Sequence, residues 1–445
     1  MPEASPVVIA VVATIAMFAL ILLRIPIGLA LGMAGFFGYS WLDGSRRAIT
    51  MLMAVPSEII TSGYSFSVIP LFILMGAVAA RSGLSAELFA IAKAMARPGA
   101  RGTLAAATIG ACGLFGAICG SSVATAATMG RIAVPEMRAA GYSPELATGS
   151  VAAGGTLGIL IPPSVILVIY ALIAEQSVPV LFAAAMLPGI LLTFLCIVVV
   201  KVVVTAMPEW GPPIDIKYAP GERLRIVARA WKILSIFLLS IGGLYVGWFT
   251  PTEAAAVGAG ATILVGVIDR RLSVRALVSA IEETTVTSAS LFFIFLGALL
   301  YGRFIALTRM PHDLTQFVAA LDLPPQAVAL VIAAIYLMLG CFLETVSMVL
   351  ITVPVFLPLL QSAGYDGVWF GILLVVAAEM GLITPPVGMN LFVIRAQAPD
   401  VSIPRIAAGA LPFLAAQLTL VVILVFWPRF TALLPELMLP HMMGK

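Results

Sequence analysis

Two matched stretches decide the fold: GILIPPS at residues 158–164 and GLITPPV at residues 381–387. Each places two consecutive prolines inside a long apolar segment. Proline lacks a backbone N–H and its ring clashes with the preceding helical turn, so each Pro-Pro pair interrupts a helix and frees backbone carbonyls. The two stretches lie 223 residues apart, and a fixed shift of this kind indicates an internal repeat.

Further turn residues obey the same shift. Pro135 falls on Pro358, and Gly141-Tyr142 falls on Gly364-Tyr365. Chance matches between alanines or leucines are frequent in an apolar sequence, whereas collinear Pro-Pro, Pro and Gly-Tyr matches are not. We therefore predict a first membrane repeat at 1–206 and a second at 232–445, joined by a hydrophilic linker at 207–231. The basic residues of that linker favour a cytoplasmic position.

The amino-acid composition indicates that the chain lies in a lipid bilayer. Of 445 residues, 62% are hydrophobic and 10% are charged, against about 45–50% and about 25% in soluble proteins. This excludes a water-soluble enzyme and a disordered chain. The apolar runs are long and unbroken, unlike the alternating strands of a barrel, and at ~20 residues per crossing they predict roughly ten to twelve crossings. The basic residues are scattered and the net charge is only +3, so nucleic-acid binding is not indicated. The prediction is an all-α polytopic membrane protein.

Glycine and proline break the long apolar segments at corresponding positions of the two halves. We predict re-entrant helical hairpins near 103–130 and 327–362, and broken helices near 146–175 and 368–395. Paired interruptions of this kind are typical of secondary transporters, whose substrate and ion sites lie where half-helices end. The chain has no G-x-x-x-x-G-K-[ST] phosphate loop, so it is not itself an ATP-driven motor.

Two interpretations of these breaks remain open. The freed carbonyls could bind a sodium ion, aided by a hydroxyl such as that of Thr384, or the helices could simply be kinked and their carbonyls satisfied by neighbours. Likewise Gly110 and Gly113 could belong to a hairpin or to a small-residue packing face between helices.

Few acids lie in the apolar segments. Glu344 aligns with Ser121, and Glu379 aligns with Thr156. An intramembrane carboxylate is a functional candidate, and Glu344, beside Thr345, is the stronger of the two. Such an acid could coordinate a cation, carry a proton, or pair with Arg303 or Arg395.

The motifs resemble a known family. The stretches that carry the resemblance are GLFGAICGSSVATAATMG at 113–130, GGTLGILIPPS at 154–164, FTPTEAAA at 249–256 and GLITPPVGMN at 381–390. Through them the chain resembles the large membrane subunit, DctM type, of the tripartite ATP-independent periplasmic (TRAP) transporters. The resemblance implies an elevator-type fold of two inverted repeats in the bacterial inner membrane. It implies sodium-driven import of an organic acid, delivered by a periplasmic substrate-binding protein. It further implies a small four-helix membrane subunit as a separate partner, no enzymatic activity and no cofactor besides sodium.

The resemblance also implies site residues, position by position. The first sodium site would involve Ser121, Gly158, Ile161 and Pro162. The second would involve Gly340, Gly381, Thr384 and Val387. Substrate would lie near Ser122, Thr125 and Thr345, where the positive ends of half-helices near Ser122 and Thr345 favour a carboxylate.

Two other functions remain as alternatives. The chain could be a stand-alone anion symporter or exchanger without a binding protein, or a channel or membrane scaffold. The sequence does not identify the organic acid.

Overall fold

The computed structural model describes residues 5–61, 66–214 and 218–439, and all regular elements in these ranges are helical. The predictions that extend to residues 1–4, 62–65, 215–217 and 440–445 lie outside the described residues at those positions. The helices of the first half are α1 (Pro6–Leu22), α2 (Ile27–Asp43), α3 (Ser45–Thr61), α4 (Val68–Arg81), α5 (Leu84–Met95), α6 (Thr103–Cys119), α7 (Ser122–Ala139), α8 (Pro144–Leu160), α9 (Val165–Ala174) and α10 (Val178–Ala206).

The second half repeats the helical pattern after a 3-10 turn at Pro208–Trp210. Its helices are α11 (Glu222–Ala228), α12 (Trp231–Phe237), α13 (Gly243–Tyr245), α14 (Pro251–Ile268), α15 (Val274–Thr308), α16 (Met310–Ala320), α17 (Pro325–Gly340), α18 (Thr345–Ser362), α19 (Gly367–Leu382), α20 (Met389–Gln397), α21 (Ile403–Phe426) and α22 (Leu433–Met438). A π-helical segment, Leu238–Gly242, joins α12 to α13, and a 3-10 turn, Pro428–Thr431, precedes α22.

Several helices can each cross a membrane. In the described residues, five are long and apolar enough: α10, α14, α15, α18 and α21. The bent pairs α4–α5 and α8–α9 raise the number to seven if each is one span. These helices alone do not make up the ten to twelve expected crossings, because four more apolar helices, α1, α6, α17 and α19, have only 10–17 residues.

Both predicted hairpins are present as packed helix pairs. In the first, α6 ends on Gly120, whose φ of +64° suits glycine, and α7 begins after the N-cap Ser121. In the second, α17 ends at Gly340 and α18 begins after Glu344. The arms of each hairpin contact one another. The first hairpin runs beyond the predicted limit of 130 to residue 139, because Pro135 is accommodated inside α7.

Both predicted broken helices are interrupted at their Pro-Pro pairs. Between α8 and α9 the chain bends by 43°, and the Ser164 hydroxyl caps α9 by accepting from the Leu167 amide at 3.3 Å. In the second half, α19 ends at Leu382 and α20 begins only at Met389. The breaks therefore lie at matched positions of the two halves.

Glycines allow α2 to pack tightly along α15, the longest described helix at 35 residues. A Cβ added to Gly28 would lie 2.7 Å from the carbonyl oxygen of Phe293. One added to Gly35 would lie 2.6 Å from the carbonyl carbon of Leu300. Such backbone contact between helices is typical of small residues in membrane interfaces, and it places α15 beside the second hairpin arm α18.

The described part of the linker packs back onto the first half. The Gly99 amide donates to the Ile214 carbonyl at 2.9 Å, and the Ser143 amide donates to the Trp210 carbonyl at 3.0 Å. Arg223 Nε, in α11, donates to the Ala94 carbonyl at 2.6 Å.

A cluster of ion pairs joins α5 to the second half. Glu87 of α5 lies 3.7 Å from Lys232 Nζ and 3.2 Å from Arg271 Nη1, and Lys232 Nζ lies 2.5 Å from Asp269. The Glu87 side chain is 4% exposed and that of Lys232 is 16% exposed. Charges buried to this degree require partners, so this Glu87–Lys232–Asp269–Arg271 network holds α5, α12 and the end of α14 together.

Candidate functional site

The first junction lies where the tip of the α6–α7 hairpin meets the break between α8 and α9. A Cβ added to Gly116 of α6 would overlap the Cα of Gly158 and lie 2.9 Å from its nitrogen. At the tip, a Cβ on Gly120 would lie 2.8 Å from the Pro163 carbonyl oxygen. The Ser121 carbonyl oxygen lies 3.2 Å from the Cβ position of Gly158. The absence of side chains thus lets backbone groups of the tip reach the break.

The second junction has the same construction. A Cβ added to Gly381 of α19 would overlap Gly340 at the end of α17 and lie 2.7 Å from the Cys341 nitrogen. The Gly388 amide donates to the Cys341 carbonyl at 3.2 Å, and Cys341 Sγ lies 3.6 Å from the Pro385 carbonyl oxygen. The hairpin tip therefore contacts the Pro-Pro break directly in this half too.

The predicted ion-site residues gather at these two junctions, but the junctions differ in exposure. In the first, Ile161 is half-buried and Pro162 is buried; in the second, Thr384 is half-buried and Val387 is 36% exposed. The Thr384 hydroxyl donates to the Met380 carbonyl at 2.6 Å, which leaves its oxygen lone pairs free to accept or to coordinate.

A polar cluster links the two halves between the hairpins. Thr345 Oγ1 donates to Glu379 Oε1 at 3.0 Å, and the Ser122 hydroxyl lies near the same carboxyl group without a hydrogen bond to Oε2. Asn390 Nδ2 donates to Ser122 Oγ at 2.8 Å. Each of these four side chains is at most 2% exposed. The N-terminal ends of α7 and α18 therefore converge on Glu379, and we call these four residues the Glu379 cluster.

The three residues predicted to contact substrate are all buried. Ser122 and Thr345 belong to the Glu379 cluster, with hydroxyls engaged by Asn390 and Glu379. Thr125 lies instead at the first junction, its Oγ1 only 2.6 Å from the Cβ position of Gly158, and this oxygen has no hydrogen-bond partner among the described residues. In this conformation none of the three hydroxyl groups is open to solvent.

Glu344 is placed differently from its neighbour Glu379. It is the exposed N-cap residue of α18, and its side chain makes no capping bond. The predicted pairing with arginine is absent from the described interactions: Arg303 pairs with Glu58, and Arg395 donates to main-chain carbonyls of the following turn. Neither arginine pairs with Glu344 or Glu379.

The sequence assigned no role to Asn390 and ranked Glu379 below Glu344. The available signal was position: both polar residues flank the second break, one just before it in α19 and one in the first turn of α20. Thr156, the repeat mate of Glu379, accepts a hydrogen bond from the buried amide of Gln417, whose Nε2 lies 2.9 Å from Thr156 Oγ1.

A pair of hairpins meeting a pair of broken helices is typical of secondary transporters. The sequence profile of the family "Tripartite ATP-independent periplasmic transporter, DctM component" matches residues 14–430. The chain belongs to this family: it is a TRAP transporter large permease subunit of the inner membrane, which functions with a small membrane subunit and a periplasmic binding protein.

Named relatives agree over most of their length. The chain is 34% identical to the C4-dicarboxylate permease DctM of Pseudomonas aeruginosa, covering 88% of this chain and 93% of the relative. It is 30% identical to the sialic acid permease SiaM of Vibrio cholerae, covering 85% and 88%. It is 28% identical to the ectoine permease TeaC of Halomonas elongata, covering 95% and 97%. These relatives are transport proteins, and their substrates differ.

The fold also resembles a solved transporter structure. The YdaH transporter of Alcanivorax borkumensis aligns with a TM-score of 0.65 at 16% identity, covering 87% of this chain and 89% of that one. This likeness concerns the fold alone.

Proposed function

We propose that this permease imports a small organic acid and that an inward sodium gradient drives the import. The observation that carries the proposal is the matched pair of junctions, in which a hairpin tip and a Pro-Pro break meet through glycine–glycine backbone contact in both halves. Carbonyls freed at a helix break in a membrane require partners, and a desolvated monovalent cation is a suitable partner for several converging oxygens.

Sodium binding is assigned to the residues at the junctions. The first site consists of Ser121, Gly158, Ile161 and Pro162, and the second of Gly340, Gly381, Thr384 and Val387. An ion at each junction neutralises the partial negative charge of the broken helix ends and fixes the hairpin tip against the break.

An organic acid is the proposed cargo because the N-terminal ends of α7 and α18 face each other. The N–H groups of their first turns form an anion-binding environment beside the Glu379 cluster. The substrates named for two of the relatives, a C4-dicarboxylate and sialic acid, are carboxylates, which supports the assignment.

Replacing Thr384 with alanine tests the second sodium site. We expect Thr384→Ala to raise the sodium concentration for half-maximal thermal stabilisation of the purified protein roughly fivefold, since one coordinating oxygen is lost at about 1 kcal/mol. Thr419→Ala is the matched control, because Thr419 also bonds to the carbonyl four residues earlier but lies exposed on α21. Equal sodium dependence in both variants would remove Thr384 from the site.

Reconstitution into liposomes distinguishes the proposed function from the alternatives. With the small subunit and the binding protein present, we expect saturable uptake of a labelled carboxylate that requires sodium. Uptake that persists without the binding protein would indicate a stand-alone symporter, and fast flux that does not saturate would indicate a channel. Isethionate and ectoine, the substrates named for two relatives, serve as competitors that are not simple carboxylates.

A further inference from the structure

Glu379 is a buried carboxyl group that the two junctions do not use. It is 2% exposed, one oxygen accepts from Thr345, and the other, Oε2, has no hydrogen-bond partner in the described chain. A carboxyl group in a low-dielectric interior is protonated unless a cation or hydrogen bonds compensate its charge. Arg303 pairs with Glu58, and Arg395 donates to the Val401 carbonyl, so neither arginine compensates Glu379.

A second oxygen of the Glu379 cluster is also without a partner. The Asn390 amide nitrogen donates to Ser122 Oγ, while its Oδ1 accepts from no described group, although the residue is fully buried. Buried polar atoms are nearly always satisfied in native proteins. Two unsatisfied oxygens in one cluster, one from α19 and one from α20, therefore point to a bound species between them.

We propose that the Glu379 cluster binds a third sodium ion, held between the two halves by Glu379, Thr345, Ser122 and Asn390. This inference rests on the proposed sodium coupling. The oxygen set contains one carboxylate and otherwise neutral donors, so its charge matches a monovalent cation. Magnesium usually retains several waters, which a cluster exposed by at most 2% does not supply. The described residues contain no group of three His, Cys, Asp or Glu side chains that would suit a transition metal.

The position of this ion gives it a role in coupling. Glu379 lies between the helix ends that would face an anionic substrate, and its negative charge alone would repel a carboxylate. Like charges repel strongly where little water screens them. A sodium ion on Glu379 removes that repulsion, so this site must fill before the organic acid binds.

Direct sodium binding tests the proposal. We would measure binding of ²²Na⁺ to the purified full-length chain at saturation, and thermal stability in sodium chloride and in potassium chloride. Glu379→Gln keeps the shape and the hydrogen bond from Thr345 but removes the charge. We expect it to bind one sodium ion fewer per chain than the wild type, and to be at least as stable as the wild type in sodium-free buffer.

Asn390→Leu and Thr352→Val complete the design. Asn390→Leu removes a different ligand and should also lose one ion, which keeps the test valid if Glu379→Gln folds poorly. Thr352→Val is the control, since Thr352 is a buried hydroxyl seven residues after Thr345 on α18, bonded to Tyr336 and outside the cluster.

The outcomes separate this inference from the proposed function. If the wild type binds sodium and Glu379→Gln binds the same number of ions, the third site does not exist while sodium coupling stands. If the wild type binds no sodium, both fail.

Discussion

Replacing Gly116 with alanine is expected to abolish sodium-dependent uptake and to destabilise the protein by at least about 1–3 kcal/mol, the usual cost of overpacking a core. The added methyl would overlap the Cα of Gly158. Because this is a backbone atom, no side-chain rotation can relieve the clash. The hairpin tip would then be displaced from the Pro-Pro break, and the ion ligands of the first junction would separate. Uptake in liposomes and thermal unfolding of the purified protein measure the two effects.

Gly110→Ala supplies a control in the same helix. No atom lies within 4 Å of a Cβ added there, so the substitution should be neutral or stabilise α6 by about 0.5–1 kcal/mol. If Gly116→Ala and Gly110→Ala transport equally well, backbone contact at the junction is not required for function.

Replacing Lys232 with methionine is expected to lower the free energy of unfolding by about 3 kcal/mol. Methionine keeps the apolar stem but leaves Glu87, 4% exposed, and Asp269, 18% exposed, without their shared ammonium group. Because the network lies at α5, α12 and α14 and not at either junction, the sodium concentration for half-maximal stabilisation should not change. Thermal unfolding at several sodium concentrations measures both quantities.

Arg138→Met is the matched control for Lys232→Met. The pair of Arg138 with Asp400 has a separation of 2.6 Å but side chains that are 39% and 57% exposed, and exposed pairs contribute about 0–1 kcal/mol. Equal losses in the two variants would show that burial of the Glu87–Lys232–Asp269–Arg271 network does not determine its energetic role.

The sequence predicted the broken helices and hairpins well because their signals are local. Pro162-Pro163 and Pro385-Pro386 interrupt a helix through their own backbone chemistry. The repeat, with its shift of 223 residues, can be read directly from the sequence. The number of crossings is harder to predict, since apolar composition does not distinguish a membrane span from a hairpin arm such as α6 or α17.

The Glu379 cluster could not be predicted in the same way. Asn390 contacts Ser122 across 268 positions of sequence, so the pair exists only after both halves have packed. The alignment of Glu344 with Ser121 was correct in position, because both are N-cap residues. Only tertiary packing shows that Glu344 is exposed and Glu379 buried, which reverses the ranking of the two acids.

Reversing the sodium gradient tests directly whether sodium drives the import. Liposomes would contain this permease and its small subunit, with the binding protein and a labelled carboxylate outside, at equal total ionic strength balanced with potassium. We expect accumulation under an inward sodium gradient and none when the gradient is absent or directed outward. Accumulation at the same rate under all three conditions would contradict it.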